Sequence, residues 1–297
     1  MDGSLMSRVC VGWVAILVLG SSALASAQTA SGTFRSQPEG SITPKVAAAY
    51  VVRDQFNPRE SEIEVILSDT AVDIATAVAE LSPHAAVIND QALKDTNYVL
   101  IWIAPDGKVS MNATFSKTMT QFVDRASADG ALRAELTTNT PDRIAGRIFT
   151  PAPVKTMSGS SYTVDLTFSA PVAKAPAGTA LPAGGGEPGK ALLGFFAARQ
   201  KKDWLSLKAA LSPSASEKFV RSYNDDKENL TDLLETLSFW LPAKDMKING
   251  GTFAGEVAVL DVEGVLASGV KALTLVRLIK RPSGWLFDSA TMAGILP

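Results

Sequence analysis

Through its first half the chain alternates apolar and polar residues. The segment SYTVDLTF sets Tyr162, Val164, Leu166 and Phe168 on one face and Thr163, Asp165 and Thr167 on the other. A period of two marks a half-buried strand, because successive strand side chains point to opposite faces. KVSMNATF repeats the pattern with Val109, Met111, Ala113 and Phe115. Just before it, NYVLIWIA is apolar at almost every position, as a central strand covered on both faces would be. Pro105-Asp106-Gly107 joins the two and suits a hairpin. EIEVILS, KVAAAYVVR, ALRAELTT and DRIAGRIF are further candidate strands. Only DTAVDIATAVAEL has helical spacing here, with Ala71, Ile74, Ala75, Val78 and Leu81 on one stripe. Short strands separated by turn signals predict a mainly-β antiparallel sandwich or open barrel.

The period changes after Ala170. Residues 171–187 are rich in Ala, Pro and Gly, with little apolar area to bury, and read as an extended linker. Beyond it, KALLGFFAARQKK places Leu192, Phe195, Phe196 and Arg199 on helical spacing. A break near Lys202-Asp203 precedes a second helix carrying Trp204, Leu207 and Leu211. SASEKFVRSY puts Phe219 and Tyr223 at i, i+4, and ENLTDLLETLSFWL is strongly amphipathic, with Leu230, Leu233, Leu234, Leu237 and Trp240. From Met246 onward, β-prone runs are separated by short turns at Ala254-Gly255, Ser268-Gly269 and Pro282-Ser283-Gly284. Helices followed by an antiparallel meander predict an α+β unit with the helices on one sheet face. The expected organisation is thus a β-rich domain over 28–170, a linker over 171–187 and an α+β domain over 188–297.

The first 27 residues change the picture of where the protein acts. Arg8, an apolar run from Val9 to Leu19 and the small residues Ala25-Ser26-Ala27 read as a secretory signal peptide cleaved after Ala27. The start is Met1 or Met6. The apolar run is too short to span a bilayer, and no later run approaches that length. Cys10, the one cysteine, precedes the apolar core, so it is not a lipoprotein cysteine and leaves with the signal. The mature chain is then cysteine-free, exported to the periplasm or the extracellular space, and dependent on its own cores. Charge is nearly balanced, 28 Lys+Arg against 30 Asp+Glu, with no basic stripe of the kind that nucleic-acid binding uses.

ALLGFFAARQKKDWLSLKAALSPSA resembles the opening helices of the NTF2-like superfamily. TLVRLIKRPSGWLFDSATM resembles that superfamily's last hairpin, where a Gly-Trp pair opens the final strand. The resemblance spans about Glu187 to Met292 and implies a cone, a curved sheet wrapped around helices. Some members hold a ligand or an active site in the cone, and some enzymes of the superfamily use a cone-facing Asp with a Tyr. The β-rich part resembles exported bacterial domains of unknown function, which brings no chemistry with it.

Several patterns suggest chemistry. Gly184-x-x-x-x-Gly189-Lys190 has the skeleton of a phosphate loop. Such a loop follows a buried parallel strand and carries a metal-binding hydroxyl after the lysine. Here prolines precede it, Glu187 would repel phosphate and Ala191 replaces the hydroxyl. Glycines ending a linker and Pro188 in a first helical turn explain the match, and no nucleotide is expected. VAVLD, 257–261, looks like a second nucleotide motif but reads as a meander strand. His84, the single histidine, falls in LSPHAAV and reads as a surface loop residue with no second histidine to share a metal. Ser268-Gly269-Val270-Lys271 straddles a predicted turn, where a Ser-x-x-Lys pair cannot form on a helix. NDDKEN, 224–229, lacks the glycine and distal glutamate of a calcium loop. Asn112-Ala113-Thr114 and Asn229-Leu230-Thr231 would be glycosylated only in a eukaryotic host.

The expectation is an exported, non-enzymatic binding or interaction module, with a protein, a polymer or an envelope component as its partner. It needs no cofactor, metal, nucleotide or nucleic acid, and no residue is assigned a catalytic role. The alternative is a small-ligand carrier or enzyme using the cone. Its candidate cavity residues are Phe196, Tyr223, Trp240, Asp261 and Phe287, with Asp288 as a further carboxylate.

Overall fold

The computed structural model describes residues 28–54, 57–126, 130–156, 159–217, 237 and 240–297. The signal segment, Tyr223, NDDKEN and most of ENLTDLLETLSFWL lie outside the described residues. The protein is mostly β, a curled half-barrel sheet and a second sheet with a few helices.

The first sheet is built from β1 (Thr29–Gln37), β2 (Gly40–Ile42), β3 (Val46–Arg53), β4 (Ser61–Ser68), β5 (Tyr98–Ile103), β6 (Val109–Phe115) and β7 (Thr120–Arg125). β8 (Arg133–Thr140), β9 (Arg143–Phe149), β10 (Val154–Lys155) and β11 (Ser161–Ala173) complete it. The strand order is β2-β1-β11-β3-β4-β5-β6-β7, with β10 and the β8–β9 hairpin also attached to β11. β11 organises the curl. Its residues 161–169 pair antiparallel with β1, residues 165–171 pair with β9, and its last two meet β3. That last contact, Val172↔Ala49 and Ala173↔Tyr50, is parallel, whereas the sequence predicts an all-antiparallel arrangement. It arises because β11 is 13 residues long and outruns β1, so its end reaches a strand of the same direction.

Alternation along β11 turns Tyr162, Val164, Leu166, Phe168, Ala170 and Val172 into the main core, inside the curl. Phe34 stacks on Tyr162 there, with ring centroids 5.4 Å apart. β5 is buried on both faces, as its continuous apolar run predicts: Val99, Ile101 and Ile103 face this core, while Leu100 and Trp102 face a smaller one.

That smaller core is capped by α1 (Ile74–Ala77) and α2 (Pro83–Ile88). The sequence predicts one helix over 69–81, and the structure corrects this. Asp73 caps α1, accepting from the Thr76 backbone N–H at 3.1 Å, but only four residues are helical. Ser82 before Pro83 disfavours continued helix and instead caps a new one, with proline at its first position.

The second sheet runs β12-β13-β14-β15-β16, formed by Thr179–Leu181, Lys244–Ala254, Val257–Val265, Lys271–Arg281 and Gly284–Ile295. All its pairings are antiparallel, so the VAVLD stretch lies in an ordinary meander strand. The Ala/Pro/Gly stretch is used in part: its first residues finish β11, and Thr179–Leu181 pair with β13. α3 (Gly186–Lys201) and α4 (Trp204–Ala209) cover one face. Lys202 ends α3 in the left-handed region and Asp203 caps α4, which is the break predicted at Lys202-Asp203.

The Gly184–Lys190 loop is a packing device. Gly184 donates to the Ile248 carbonyl, and Gly185 is left-handed at the helix N-cap. A Cβ on Gly189 would lie 1.8 Å from the Gly184 carbonyl oxygen. Lys190 is paired with Glu187 at 2.7 Å on the exposed side of the helix. Gly189→Ala is therefore expected to cost about 2 kcal/mol through forced backbone displacement. Gly194→Ala, in the same helix with open space around it, is expected to gain about 0.5–1 kcal/mol. Urea unfolding of both variants checks the contrast, and equal effects would refute it.

Candidate functional site

Alternation on β14 sends Ala258, Leu260 and Val262 towards the helices and leaves Val257, Val259, Asp261 and Glu263 on the opposite face. That opposite face meets the first sheet across a cleft of about 550 Å3. Its floor includes Thr252, Val257, Val259, Leu275 and Thr291. The other wall is the end of β3 with Val51 and Arg53, the turn from Val78 to His84, and Ala175 to Gly178.

Ion pairs cross the seam beside this cleft. Arg53 meets Asp261 at 2.9 Å, Arg59 meets Glu263 at 2.8 Å, and Arg277 meets Glu80 at 3.0 Å. The Arg59 hydrogen bond holds Glu263 below the usual carboxylate range. Each pair is partly exposed and contributes about 0–1 kcal/mol. Their effect is collective, because they fix the register of the two walls.

A heavily bonded buried carboxylate sits behind the cleft. Glu64 is fully buried on β4, and its register neighbours are Tyr50 on β3 and Trp102 on β5. Tyr50 Oη donates to Glu64 Oε1 at 2.5 Å, and Trp102 Nε1 donates to Oε2 at 3.1 Å. From α2, His84 Nδ1 lies 2.9 Å and 3.0 Å from the two oxygens. A buried carboxylate with unmet acceptors would be costly, and cross-strand neighbours are the donors a sheet can supply.

This arrangement shifts its members. The hydrogen bond to Glu64 raises the His84 pKa, against the opposing effect of burial. Burial is the main cause of the raised Tyr50 pKa. Glu62, two residues along the same face of β4, is pushed up to about 7 by burial first, then by Asp54 and Glu64.

The sequence reading of His84 is corrected here: it stands in α2, bound to a buried carboxylate, and is not a loop residue. Its ring is 41% exposed and lines the cleft. Glu64, Tyr50 and Trp102 were not singled out from the sequence. The available signal was a glutamate two residues before Ile66 on the covered face of a strand.

The described cone candidates lie in different places, and Tyr223 is outside the described residues. Phe196 and Phe287 are buried in the helix-facing core, joined through Phe195, which stacks on Phe287 at 4.4 Å and 6°. Trp240 is 40% exposed, and its carbonyl accepts from Thr274. Asp261 points away from the helices towards Arg53. Asp288 accepts from Ser212 Oγ at 2.6 Å and from Arg277 Nε at 3.0 Å. None of these residues lines the cleft. Ser268 to Lys271 occupy the β14–β15 hairpin turn. Among the described residues, no three His, Cys, Asp or Glu side chains are grouped to hold a metal, and no helix is long and apolar enough to cross a membrane.

No protein-family model and no curated protein matches the chain. A solved structure described as "Ntf2 like protein involved in plasmid conjugation" is similar at 10% identity, covering 86% of this chain and 79% of that one. The TM-score is 0.23, too low to carry any argument.

Because the chain has one histidine, its NMR titration is unambiguous. His84 is expected to titrate above the ordinary imidazole value of about 6.5, and Glu64→Gln should lower it. A raised folded-state pKa contributes stability that is complete below the unfolded value and is lost as pH rises through the folded one. Glu62 acts with the same sign between its unfolded 4.5 and about 7. Stability should therefore decline as pH rises through this range, and an unfolding midpoint that climbs there would contradict the assignment.

Proposed function

We propose that this is an exported, non-catalytic binding protein whose ligand lies in the cleft between the two sheets. The observation that carries the reading is the cleft itself, about 550 Å3 with a mainly apolar lining and a few polar groups at its edges. Ligand sites of this size and lining are the usual kind for small molecules. Export follows from the reading of the first 27 residues as a signal peptide, and the ligand is then a small envelope or extracellular molecule. The non-catalytic reading is supported by Asp261 and Asp288, each engaged by an arginine.

The region 187–292 is read as NTF2-like on its sequence resemblance. The order of helices followed by a four-stranded meander, with the helices on one face, is consistent with that reading. The ligand site assigned here lies on the opposite face of the sheet from the one such cones use.

Native mass spectrometry of protein purified gently from its own host provides the test. The wild type is expected to carry an additional mass of roughly a few hundred daltons, the scale of a ligand that fills such a cleft. Val259→Trp, which places an indole on the cleft floor, should abolish it. The denatured mass should correspond to cleavage after Ala27. A bare wild-type chain, or an adduct unchanged by Val259→Trp, would refute the assignment.

A further inference from the structure

We propose that His84 receives the head group of the ligand, and that the ligand is an amphipathic acid with its chain along the apolar floor and its carboxylate on the imidazole. This rests on the reading of the cleft as the binding site. Four observations converge on it. Nδ1 is held by both oxygens of Glu64, so the ring orientation is fixed and Nε2 is the nitrogen left for a ligand. Among the described residues, His84 makes its hydrogen bonds through Nδ1 alone, and the ring lines the cleft. Val51, Val78, Leu81, Val259 and Leu275 give the same cleft an apolar surface for a chain. Arg53, the other cationic residue of the lining, is already held by Asp261 and the Pro58 carbonyl, so the imidazole is the group of that wall left to take an anionic head group.

The charged groups around His84 set the pH dependence. From β4 come Glu64, already bonded to the ring, and Glu62. From β3 come Tyr50, bonded to Glu64, and Arg53. The turn before α2 brings Glu80, engaged by Arg277. Glu62, with Asp54 acting on it, lies near the ring behind the cleft, and Glu80 lines the cleft itself; of these, Glu62 is the one whose titration reaches the neutral range. It takes up its proton as pH falls through about 7, over the range in which the imidazole becomes a cation and Nε2, an acceptor in the neutral ring, gains the proton it needs to donate. Both changes favour a bound carboxylate at the lower pH.

Titration calorimetry on the full mature chain, with decanoate and decanol as probes at about pH 6 and about pH 8, tests this on either side of the imidazole range. Decanoate should bind roughly tenfold more tightly at the lower pH, a difference of one unit in log affinity. Decanol should bind with no such change. His84→Gln keeps an amide donor to Glu64 and should cut the pH dependence to the part that Glu62 supplies, while Glu62→Gln should strengthen decanoate binding at the higher pH. Near-ultraviolet circular dichroism checks that both variants keep the fold. Trp102, whose ring lies 6.2 Å from that of His84, gives an independent fluorescence readout. Equal, pH-independent binding of decanoate and decanol would overturn the head-group assignment and leave the cleft reading standing. So would a His84→Gln variant with wild-type pH dependence. Failure of both probes to bind would overturn the cleft reading along with it.

Discussion

The constraint on which the candidate site depends is a carboxylate that no solvent reaches. Glu64 lies in the middle of a sheet, and its acceptor oxygens must be met by donors or the fold loses stability. Two of those donors come for the cost of register alone, since Tyr50 and Trp102 are its direct neighbours on the flanking strands. The third has to come from above the sheet, and it is brought by α2. Docking this short helix places His84 over Glu64 and Val87 in the apolar core beside it. A helix of six residues has little stability of its own, so it is this hydrogen bond and that packing that hold it. The wall of the cleft from Val78 to His84 is therefore positioned by a buried glutamate.

The opposite wall has a different origin. The second sheet buries one face against α3, α4 and the stacked Phe195 and Phe287. Its other face carries Val257, Val259 and Leu275 between charged residues. Those charges meet partners on the first sheet, so the two walls are registered by ion pairs while the apolar surface between them is left uncovered. Charged groups at the margins and apolar groups at the centre give a cleft that is held open and is still favourable for an apolar chain.

Much of the strand content was legible in the sequence because strand periodicity is local. Ser161 to Phe168 and Val109 to Phe115 alternate cleanly, the stretch from Met246 onward is β-prone between short turns, and the structure has strands at each. The break at Lys202-Asp203 was legible for the same reason, as a cap is written in a few adjacent residues. β1 and β7 were missed: glycine, serine and threonine blur the period in TASGTFRSQ, and TQFVDR is too short to establish one. The helix expected over 69–81 is only four residues long, because Asp73 caps its start inside the predicted stretch and it ends at Val78.

By itself, the sequence determined the β-rich first half and, after it, the helices on either side of Lys202-Asp203 and the meander. These depend on period, turn chemistry and capping, all of which act over a few residues. The tertiary structure alone decided that Asp261 faces Arg53 while Phe196 and Phe287 fill a core, and that His84 meets Glu64 from 20 residues away. Such contacts depend on which strands become neighbours and in what register. Strand order and register follow from the burial of whole faces at once, and no short window of sequence contains that information.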